Sequence, residues 1–202
     1  MALATRNPGK IREILAICAN WPVEWVTFDA APRPERERWP EVEETGATYL
    51  ENALLKARAV AAALGVPAAA DDSGIEVDAL NGGPGPRSAR FAGPNATDRR
   101  NLALLIERVT SVPEGGRTAR YRCMAVCARP DGGALWAEGA CQGRLILDPR
   151  GSGGFGYDPI FVPDGETRTM AELAPDQKDV LSHRGRAFRA LGELLGDDSR
   201  RA

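Results

Sequence analysis

Residues 68–80 have the sequence Ala-Ala-Ala-Asp-Asp-Ser-Gly-Ile-Glu-Val-Asp-Ala-Leu, and this stretch decides how the surrounding elements are arranged. The three alanines indicate a buried strand, and residues 75–80 predict that a strand resumes after the acidic pair. Carboxylates such as Asp71 and Asp72 are costly beside a buried strand unless they are paired or bind a metal. Adjacent strand residues face opposite sides, so at most one of them points into a given site. An Asp-Ser-Gly turn and a magnesium-binding strand end both stay open on these residues alone.

Helical and extended patterns alternate on both sides of this stretch. Before it, we predict a helix after Pro8, a strand at residues 23–28, an exposed loop at residues 31–41, and a helix that Thr45 could cap and that Gly65 ends. After it, we predict a helix capped by Thr97, a hairpin of residues 118–128 and 134–147, and a last helix that begins near Ser182 and stops at Gly196. Because the alternation comes early and the hairpin late, we expect an α/β fold with a mixed sheet.

Length and composition favour one globular domain. A chain of 202 residues can bury one sizeable core, so a single domain over residues 1–202 is the default. The net charge of −2 at pH 7 argues against a broad basic surface for nucleic acid or an anionic membrane, but it leaves open a small anionic ligand held by a few cations. Apolar stretches are too short to span a bilayer, and no signal peptide pattern is expected at the start.

The four cysteines predict reduced thiols in a cytosolic setting. They are Cys18, Cys123, Cys127 and Cys141, and a chain of this length does not need disulfides to fold. No Cys-x-x-Cys pair occurs, and the sequence has one histidine, which argues against a zinc site. Cys123 and Cys127 share one strand face, so buried packing is the better explanation for them.

Several short segments could bind an anion or a metal, although each also has a plainer structural explanation. Residues 5–10, Thr-Arg-Asn-Pro-Gly-Lys, form a strand–helix junction whose first amides and Lys10 suit a polyphosphate, but a capped helix with a solvated lysine fits equally. The glycines of a Walker A loop are missing. Glu43 and Glu44 precede the next helix. Their negative charges would interact favourably with the positive end of that helix, and the more specific alternative is that they bind Mg²⁺. Lys56 on that helix points into a cleft or into water.

Residues 151–156, Gly-Ser-Gly-Gly-Phe-Gly, match the dinucleotide fingerprint but not its context. Tyr-Asp-Pro follows, and these residues do not open the helix that a bound pyrophosphate needs. A loop that presents Phe155 to a base is a better hypothesis, with a buried phenylalanine as the alternative. His183 begins the last helix, where a structural role is as compatible as a catalytic one. The serines near these motifs lie in no G-x-S-x-G elbow, which argues against a serine hydrolase.

In their order along the chain, these motifs resemble those of the inosine triphosphate pyrophosphatase family, whose members clear deaminated purine nucleotides. The likeness runs through residues 5–10, 43–57, 71–74, 84–90, 96–102, 153–161 and 182–185 and covers nearly the whole chain. It implies an α/β fold with a long, bent mixed sheet flanked by helices, two lobes with a central cleft, and a homodimer. It also implies a cytoplasmic, Mg²⁺-dependent enzyme that hydrolyses ITP, dITP and XTP to the monophosphate and pyrophosphate, with no nucleic acid or membrane as partner.

The resemblance assigns roles by motif. Asp72 would accept the proton of the attacking water and, together with Glu43, would bind Mg²⁺. The residues that would bind the substrate are Thr5, Arg6, Asn7, Pro8, Gly9, Lys10, Lys56, Ser73, Phe155, Gly156, Tyr157, Asp158, Lys178, His183 and Arg184. Among them, Lys10 and Lys56 would hold the triphosphate, residues 155–158 would line the base pocket, and His183 and Arg184 would reach the 6-oxygen of the base. A donor at that position suits a 6-oxo purine and mismatches the amino group of adenine.

Two alternatives stay open. One is an enzyme similar to the Maf-type pyrophosphatases, acting on modified pyrimidine nucleotides, and the other is a non-catalytic nucleotide-binding module. The family usually has several β-branched residues before its Thr-x-Asn motif, whereas only Met1–Ala4 precede it here. We therefore expect that the first strand is short or that the true start lies upstream.

Overall fold

One mixed sheet carries the strands of this protein in the computed structural model, which describes residues 1–199. Within these residues the strands are β1 (Ala2–Leu3), β2 (Val26–Thr27), β3 (Ala68–Val77), β4 (Gly83–Pro84), β5 (Thr118–Ala128), β6 (Ala134–Leu145) and β7 (Phe161–Pro163). Their order is β2-β1-β3-β5-β6-β7, with β4 paired to β3 off this path. β1 runs parallel to β2 and β3, whereas β3–β4 and β6–β7 are antiparallel pairs. The predicted mixed sheet is confirmed.

Helices flank the sheet and carry most of the polar motifs. They are α1 (Pro8–Ile17), α2 (Arg33–Arg38), α3 (Tyr49–Leu64), α4 (Asp98–Val109), α5 (Pro175–Leu181) and α6 (His183–Ser199). Short 3-10 segments cover Asp78–Leu80, Gly85–Arg90, Glu114–Gly116, Asp158–Ile160 and Met170–Glu172. Among residues 1–199, every helix is too short or too polar to cross a bilayer.

The chain forms two compact units. The first contains Met1–Asp72, Cys123–Gly139 and the chain from Arg184 onward, and the second contains Ser73–Arg122 and Ala140–His183. β3, β5 and β6 each contribute residues to both units. The prediction of a single domain over residues 1–202 and that of a central cleft stay predictions.

The central strand runs straight through the Asp-Asp-Ser-Gly segment. The sequence predicted a strand that stops at the acidic pair and resumes over residues 75–80, whereas the structure has one continuous strand, β3, that ends at Val77, so the predicted break and the predicted end were wrong. Asp71 and Asp72 are buried in this strand, and both have cationic partners, which removes the cost of an unpaired buried carboxylate. The extended backbone sends the two side chains to opposite faces of the sheet.

In the first unit, helices pack on both of these faces. Ala68 and Ala70 belong to the cluster that contains Ala53 and Ala57 of α3, whereas Ala69 belongs to the cluster that contains residues of α1 and α6. Alanines on the strand allow the helices to approach the sheet closely. Continuing the alternation, Asp72 lies on the α3 face and Asp71 on the face of α1 and α6.

The hairpin strands and the cysteines follow the sequence closely. β5 covers the predicted residues 118–128, and β6 ends at Leu145, two residues before the predicted end. The four cysteines are buried thiols that form no disulfide among residues 1–199, and Cys123 and Cys127 lie in one cluster, as predicted.

Two local predictions for the segments around α2 and α3 were wrong. Residues 31–41 contain the short helix α2, in which Pro lies in the first turn, where its missing N–H costs nothing, and Arg33 pairs with Glu37 at 2.8 Å. Thr48, not Thr45, caps α3. Its hydroxyl accepts a hydrogen bond from the Glu51 amide, and the Glu51 carboxylate accepts one from the Thr48 amide.

The last helix also differs from its prediction. It continues past Gly196 to Ser199. A glycine inside a helix costs about 1 kcal/mol relative to alanine, which packing can offset. Arg129 Nη1 donates to Asp198 Oδ2 over 2.7 Å and ties this final turn to the hairpin. The predicted strand at residues 23–28 is reduced to Val26–Thr27.

Candidate active site

A buried carboxylate joins three elements of the first unit. Asp71 Oδ2 lies 3.1 Å from Lys10 Nζ of α1 and accepts from Arg184 Nε and Nη2 of α6 over 3.2 and 3.1 Å. Arg184 Nη1 also donates to Glu13 Oε2. Asp71 is 0% exposed and Arg184 1% exposed, and the half-buried Lys10 adds a second cation, so two cations and two carboxylates balance one another.

The second carboxylate, Asp72, serves a separate group on the α3 face. Asn52 Nδ2 donates to Asp72 Oδ2 over 3.1 Å, and Lys56 Nζ lies 3.7 Å from Asp72 Oδ1. Lys56 Nζ also pairs with Glu44 Oε1 at 2.5 Å. The Asn52 side-chain oxygen accepts from the Gly46 amide over 2.8 Å and so attaches the loop before α3 to the strand. Asn52 and Lys56 lie one helical turn apart, which places them side by side.

The environment acts differently on the two aspartates. Burial alone would raise the pKa of Asp71, but Lys10, Arg184 and Lys56 outweigh it and hold that pKa well below its usual range. Burial raises the pKa of Asp72, with a further contribution from Glu44, and Lys56, Lys10 and Asn52 only partly oppose it. Asp72 is therefore the more basic of the two carboxylates.

Lysine 56 keeps its positive charge in this site. Burial would lower the pKa of Lys56, but the Asp72, Glu44 and Asp71 carboxylates outweigh that effect and raise it. A buried ammonium that stays charged is suited to an anionic ligand.

The junction at residues 5–10 has the geometry of a capped helix start. Asn7 caps α1, its side-chain oxygen accepting from the Lys10 amide over 3.1 Å, and Thr5 Oγ1 accepts from the Asn7 amide over 3.2 Å. Arg6 lies over the ring of Phe28, 4.1 Å from its centroid. Pro8 is exposed and Gly9 buried. The start of α1 therefore combines the positive end of the helix dipole with the Lys10 ammonium, a combination that favours anions.

The acidic side chains of the first unit offer few ligands to a divalent ion. Among residues 1–199, no group of three or more His, Cys, Asp or Glu side chains is arranged to hold a metal by itself. Asp72 and Glu44 nevertheless both approach Lys56 Nζ, so this position already attracts a cation. Mg²⁺ commonly takes one or two protein carboxylates and completes its coordination with water and substrate phosphates. The donor set fits Mg²⁺ bound together with a polyphosphate and does not fit a fully protein-ligated metal.

The second unit contains a different buried cluster, centred on Asp158. Its Oδ2 lies 2.5 Å from Lys178 Nζ and accepts from the Phe155 amide over 2.8 Å, while its Oδ1 accepts from the Tyr121 hydroxyl over 3.1 Å. The ring of Tyr121 stacks on the His183 imidazole, with centroids 4.6 Å apart. Lys178 Nζ also lies 5.2 Å from the centroid of the Phe155 ring. An ammonium, an imidazole and a half-buried aromatic ring are thus fixed within one cluster, which suits a planar, hydrogen-bonding ligand.

The glycine-rich loop is built around this cluster. Gly154 has a φ of +68°, and a Cβ there would overlap the Asp158 carboxylate and approach Lys178 Nζ to 2.9 Å. The Gly156 amide donates to Asp98 Oδ2 over 3.0 Å. Asp158–Ile160 forms a 3-10 turn and β7 follows, so no helix opens after the loop, as predicted, and a dinucleotide site is excluded there.

Comparison with known proteins connects this geometry to a family. The model of the Ham1 family matches residues 1–194. The chain belongs to the Ham1 family. The resemblance predicted from the motifs is thereby confirmed.

Solved structures of Ham1 proteins share the fold. A HAM1 protein from Coxiella burnetii has a TM-score of 0.84 and 36% identity over 97% of this chain and 98% of its own. A nucleoside-triphosphatase, or dITP/XTP pyrophosphatase, from Mycobacterium abscessus has a TM-score of 0.73 and 43% identity over 94% and 97%. In sequence, the dITP/XTP pyrophosphatase of Streptomyces coelicolor is 51% identical over 97% of this chain and 98% of its own length. Both units of this Ham1 protein are therefore covered by the likeness.

Within this Ham1 chain, the predicted site residues fall into two sets. The first unit holds residues 5–10, Lys56, Asp72 and Arg184, and the second holds Ser73, Phe155, Gly156, Tyr157, Asp158, Lys178 and His183. Glu43, predicted as a metal ligand, is exposed, whereas its neighbour Glu44 is half-buried against Lys56. Arg184, predicted to reach the base, has its guanidinium paired with Asp71 and Glu13 in this structure.

The motif analysis assigned no role to four side chains that organise these clusters. They are Glu13, Asn52, Asp98 and Tyr121. Asn52 and Asp98 belong to segments that carried the family likeness, so the motifs could have indicated them. Glu13 and Tyr121 stand in amphipathic helix and strand patterns, where nothing local distinguishes them from ordinary surface or core residues.

Proposed function

We propose that this protein hydrolyses deaminated purine nucleoside triphosphates, namely ITP, dITP and XTP, to the monophosphate and pyrophosphate. Relatives in Streptomyces coelicolor and Geobacter sulfurreducens, 51% and 46% identical, are named dITP/XTP pyrophosphatases. The observation that carries the proposal is the buried Asp72 carboxylate beside Lys56, one residue from the Asp71–Lys10 pair. These groups supply a base and the cations that a triphosphate requires.

The triphosphate would bind in the first unit. Lys10, Lys56 and the positive end of the α1 helix dipole offer positive charge to the phosphate oxygens, and Lys56 remains charged because carboxylates surround it. Phosphoryl transfer depends on positioning and charge neutralisation and needs no protein nucleophile. Side chains with fixed partners suit that task because little rearrangement is required when the substrate binds.

Asp72 would orient the water that attacks the α-phosphorus and accept its proton. Burial raises the pKa of Asp72, which makes it a better base than an exposed aspartate, and Asn52 fixes the orientation of its carboxylate. The bond between the α-phosphorus and the bridging oxygen then breaks, and pyrophosphate leaves. Asp71 is less suited to this role because Lys10 and Arg184 hold its pKa low.

Asp72 and Glu44 are the carboxylates best placed to hold Mg²⁺, with Glu43 as the alternative that the motif indicates. When bound, the ion would offset the charge of the triphosphate oxygens. Lys56, which lies beside both carboxylates, would add its charge to that of the ion.

The cluster of the second unit would recognise the base. Phe155 offers a ring for stacking, and the buried Lys178 and His183 offer hydrogen-bond donors to a 6-oxo purine. The 6-amino group of adenine would meet these donors with a donor, and sites of this kind reject such a mismatch by roughly 10⁴–10⁵. Arg184 would donate to the base only if its guanidinium gave up one of its hydrogen bonds to Asp71 or Glu13.

We further propose, as the family resemblance implies, that the protein is a homodimer and works in the cytoplasm. Four buried thiols outside any disulfide, among the described residues, are compatible with a reducing compartment. Size-exclusion chromatography with light scattering tests the dimer, and a monomer at all concentrations would contradict it.

A nucleotide panel tests the function directly. The purified protein is mixed with Mg²⁺ and ITP, dITP, XTP, ATP, GTP or a modified pyrimidine triphosphate, and pyrophosphate and phosphate are measured separately. We expect pyrophosphate to be released from ITP, dITP and XTP. Comparable turnover of ATP would contradict the proposed base selection, preference for pyrimidines would favour a Maf-like activity, and binding without turnover would favour a non-catalytic module.

A further inference from the structure

A buried tyrosine connects the two groups to which we assign base recognition. Tyr121 of β5 is 6% exposed; its hydroxyl donates to Asp158 Oδ1 over 3.1 Å, and its ring stacks on His183. We propose that Tyr121 is a positioning residue for base selection, which fixes the plane of the His183 imidazole and, through Asp158, the place of the Lys178 ammonium. This inference rests on the proposed function, since it concerns how that function selects its base.

The stacking geometry determines where the His183 N–H groups point. The ring centroids of Tyr121 and His183 are 4.6 Å apart and the planes are inclined by only 7°. The second torsion of a histidine side chain is intrinsically broad, so packing has to choose the ring plane. Tyr121 is itself fixed by Phe161, fully buried, whose ring meets it edge-on at 4.8 Å and 63°. The imidazole plane is therefore set by two buried aromatic rings.

The hydroxyl acts on Lys178 through the carboxylate between them. Asp158 Oδ1 accepts from Tyr121, while Oδ2 accepts from the Phe155 amide and pairs with Lys178 at 2.5 Å. Because donors occupy both oxygens, the carboxylate cannot rotate without breaking one of these bonds. Removing the hydroxyl releases Oδ1 and lets the plane of the carboxylate turn, and the ammonium on Oδ2 turns with it.

The ring of Tyr121, stacked on His183, and its hydroxyl, bonded to Asp158, affect the choice of base and not the phosphoryl chemistry. A 6-oxo group is distinguished from a 6-amino group by donors held at a fixed position, and a donor that can turn away no longer penalises the wrong base. Loss of the Tyr121 ring should therefore change the preference between ITP and ATP, while kcat for ITP changes much less than KM.

The single histidine of the sequence makes the contact directly observable. The wild-type protein gives one set of histidine imidazole C–H signals in a two-dimensional NMR spectrum. The face of a stacked aromatic ring shifts these proton signals upfield. The variants are Tyr121→Phe, which removes only the hydroxyl, and Tyr121→Leu, which removes the ring. Phe161→Leu is the graded comparison, because it removes the ring that packs edge-on against Tyr121 but keeps the hydroxyl and the ring that directly contact Asp158 and His183. Unfolding midpoints are measured for all three.

We expect Tyr121→Phe to keep the upfield His183 signal and to raise KM for ITP about two- to tenfold, the loss of one hydrogen bond. Tyr121→Leu should move the signal towards its position in the unfolded protein and reduce the preference for ITP over ATP about tenfold or more. Phe161→Leu should lower the unfolding midpoint and change that preference less than Tyr121→Leu does.

Three results would overturn the proposal. The first is a His183 signal that stays at its wild-type position in Tyr121→Leu. The second is an equal loss of ITP and ATP turnover in that variant. The third is an unchanged KM for ITP in Tyr121→Phe. If Tyr121→Leu does not fold, the KM of Tyr121→Phe decides alone. If the wild-type protein releases no pyrophosphate from ITP, the proposed function fails, and base selection fails with it, whereas the NMR signal still reports whether Tyr121 orients His183.

Discussion

The carboxylate of Asp71 and the ammonium of Lys10 lie 3.1 Å apart, and Asp71 is completely buried. The next residue on the strand, Asp72, faces the other side of the sheet, where Lys56 and Asn52 meet it. Two adjacent carboxylates thus have separate partners on separate helices. Asp71 pairs with two cations that hold its pKa low, whereas burial raises the pKa of Asp72, which is why we propose Asp72 as the base.

Replacement of Asp72 by asparagine should abolish turnover and keep the fold. The amide cannot accept the proton of the attacking water, and general-base assistance is typically worth about 10²–10⁴-fold in rate. Pyrophosphate release from ITP measures the loss, and circular dichroism with thermal unfolding measures the fold. Asp164→Asn, at an exposed aspartate, is the control and should retain full activity. Turnover close to wild type in Asp72→Asn would exclude Asp72 as the base.

The two neighbouring glutamates should differ in their effect on the metal requirement. Glu44 approaches Lys56 beside Asp72, whereas Glu43 is exposed, so Glu44→Gln should raise the Mg²⁺ concentration for half-maximal rate about tenfold or more. Glu43→Gln should change it little. Titration of activity with Mg²⁺ at saturating ITP measures both. The opposite ranking would return the ligand role to Glu43, as the motif alone indicates.

Acid should destabilise the protein through Asp71. Its folded-state pKa lies below the usual value of about 3.9, so the unfolded chain binds this proton at a higher pH than the folded one. The stabilising contribution is therefore complete above that usual value and is lost as the pH falls below it. Urea unfolding at a series of pH values measures the effect.

The Asp71→Asn variant isolates this contribution. It should lower the free energy of unfolding near neutral pH by about 3–5 kcal/mol, because Lys10 and Arg184 lose a buried partner. The difference between variant and wild type should shrink as the pH decreases below about 4. A difference that does not vary with pH would show that the ionised carboxylate is not what stabilises the fold.

Alanine at Gly154 should damage the second cluster more than alanine at Gly156. Both glycines have positive φ, +68° and +63°, so both substitutions carry the backbone penalty of about 1–2 kcal/mol. Only at Gly154 would the new Cβ overlap the Asp158 carboxylate, whereas nothing lies within 4 Å at Gly156. KM for ITP and the free energy of unfolding should therefore change more in Gly154→Ala. Equal changes would mean that backbone strain alone accounts for the loss.

The cap of α3 should contribute to stability without touching the substrate. Thr48→Ala removes the hydroxyl that accepts from the Glu51 amide and should cost about 1 kcal/mol. Thr45→Ala, at the threonine that the sequence alone favoured as the cap, is the matched comparison and should cost less. Chemical unfolding of the two variants decides which threonine caps the helix in solution.

The sequence by itself determined the elements whose signals are local. The amphipathic stripe and the left-handed Gly65 defined the end of α3, Pro130–Gly133 joined the hairpin, and the ordered motifs identified the family. These features depend on side-chain periodicity and on backbone preferences within a few residues, which one chain displays without any partner.

Only the tertiary structure decided what the acidic segment does. Locally, Asp71, Asp72 and the following Ser-Gly are compatible with a turn or with a strand end, but cations from three helices, carried by Lys10, Lys56 and Arg184, pair with the carboxylates of a continuous strand. The same holds for Tyr121, whose partners lie 37 and 62 positions away along the chain. The free energy of a buried charge or a stacked ring depends on which distant groups surround it, and no local pattern contains that information.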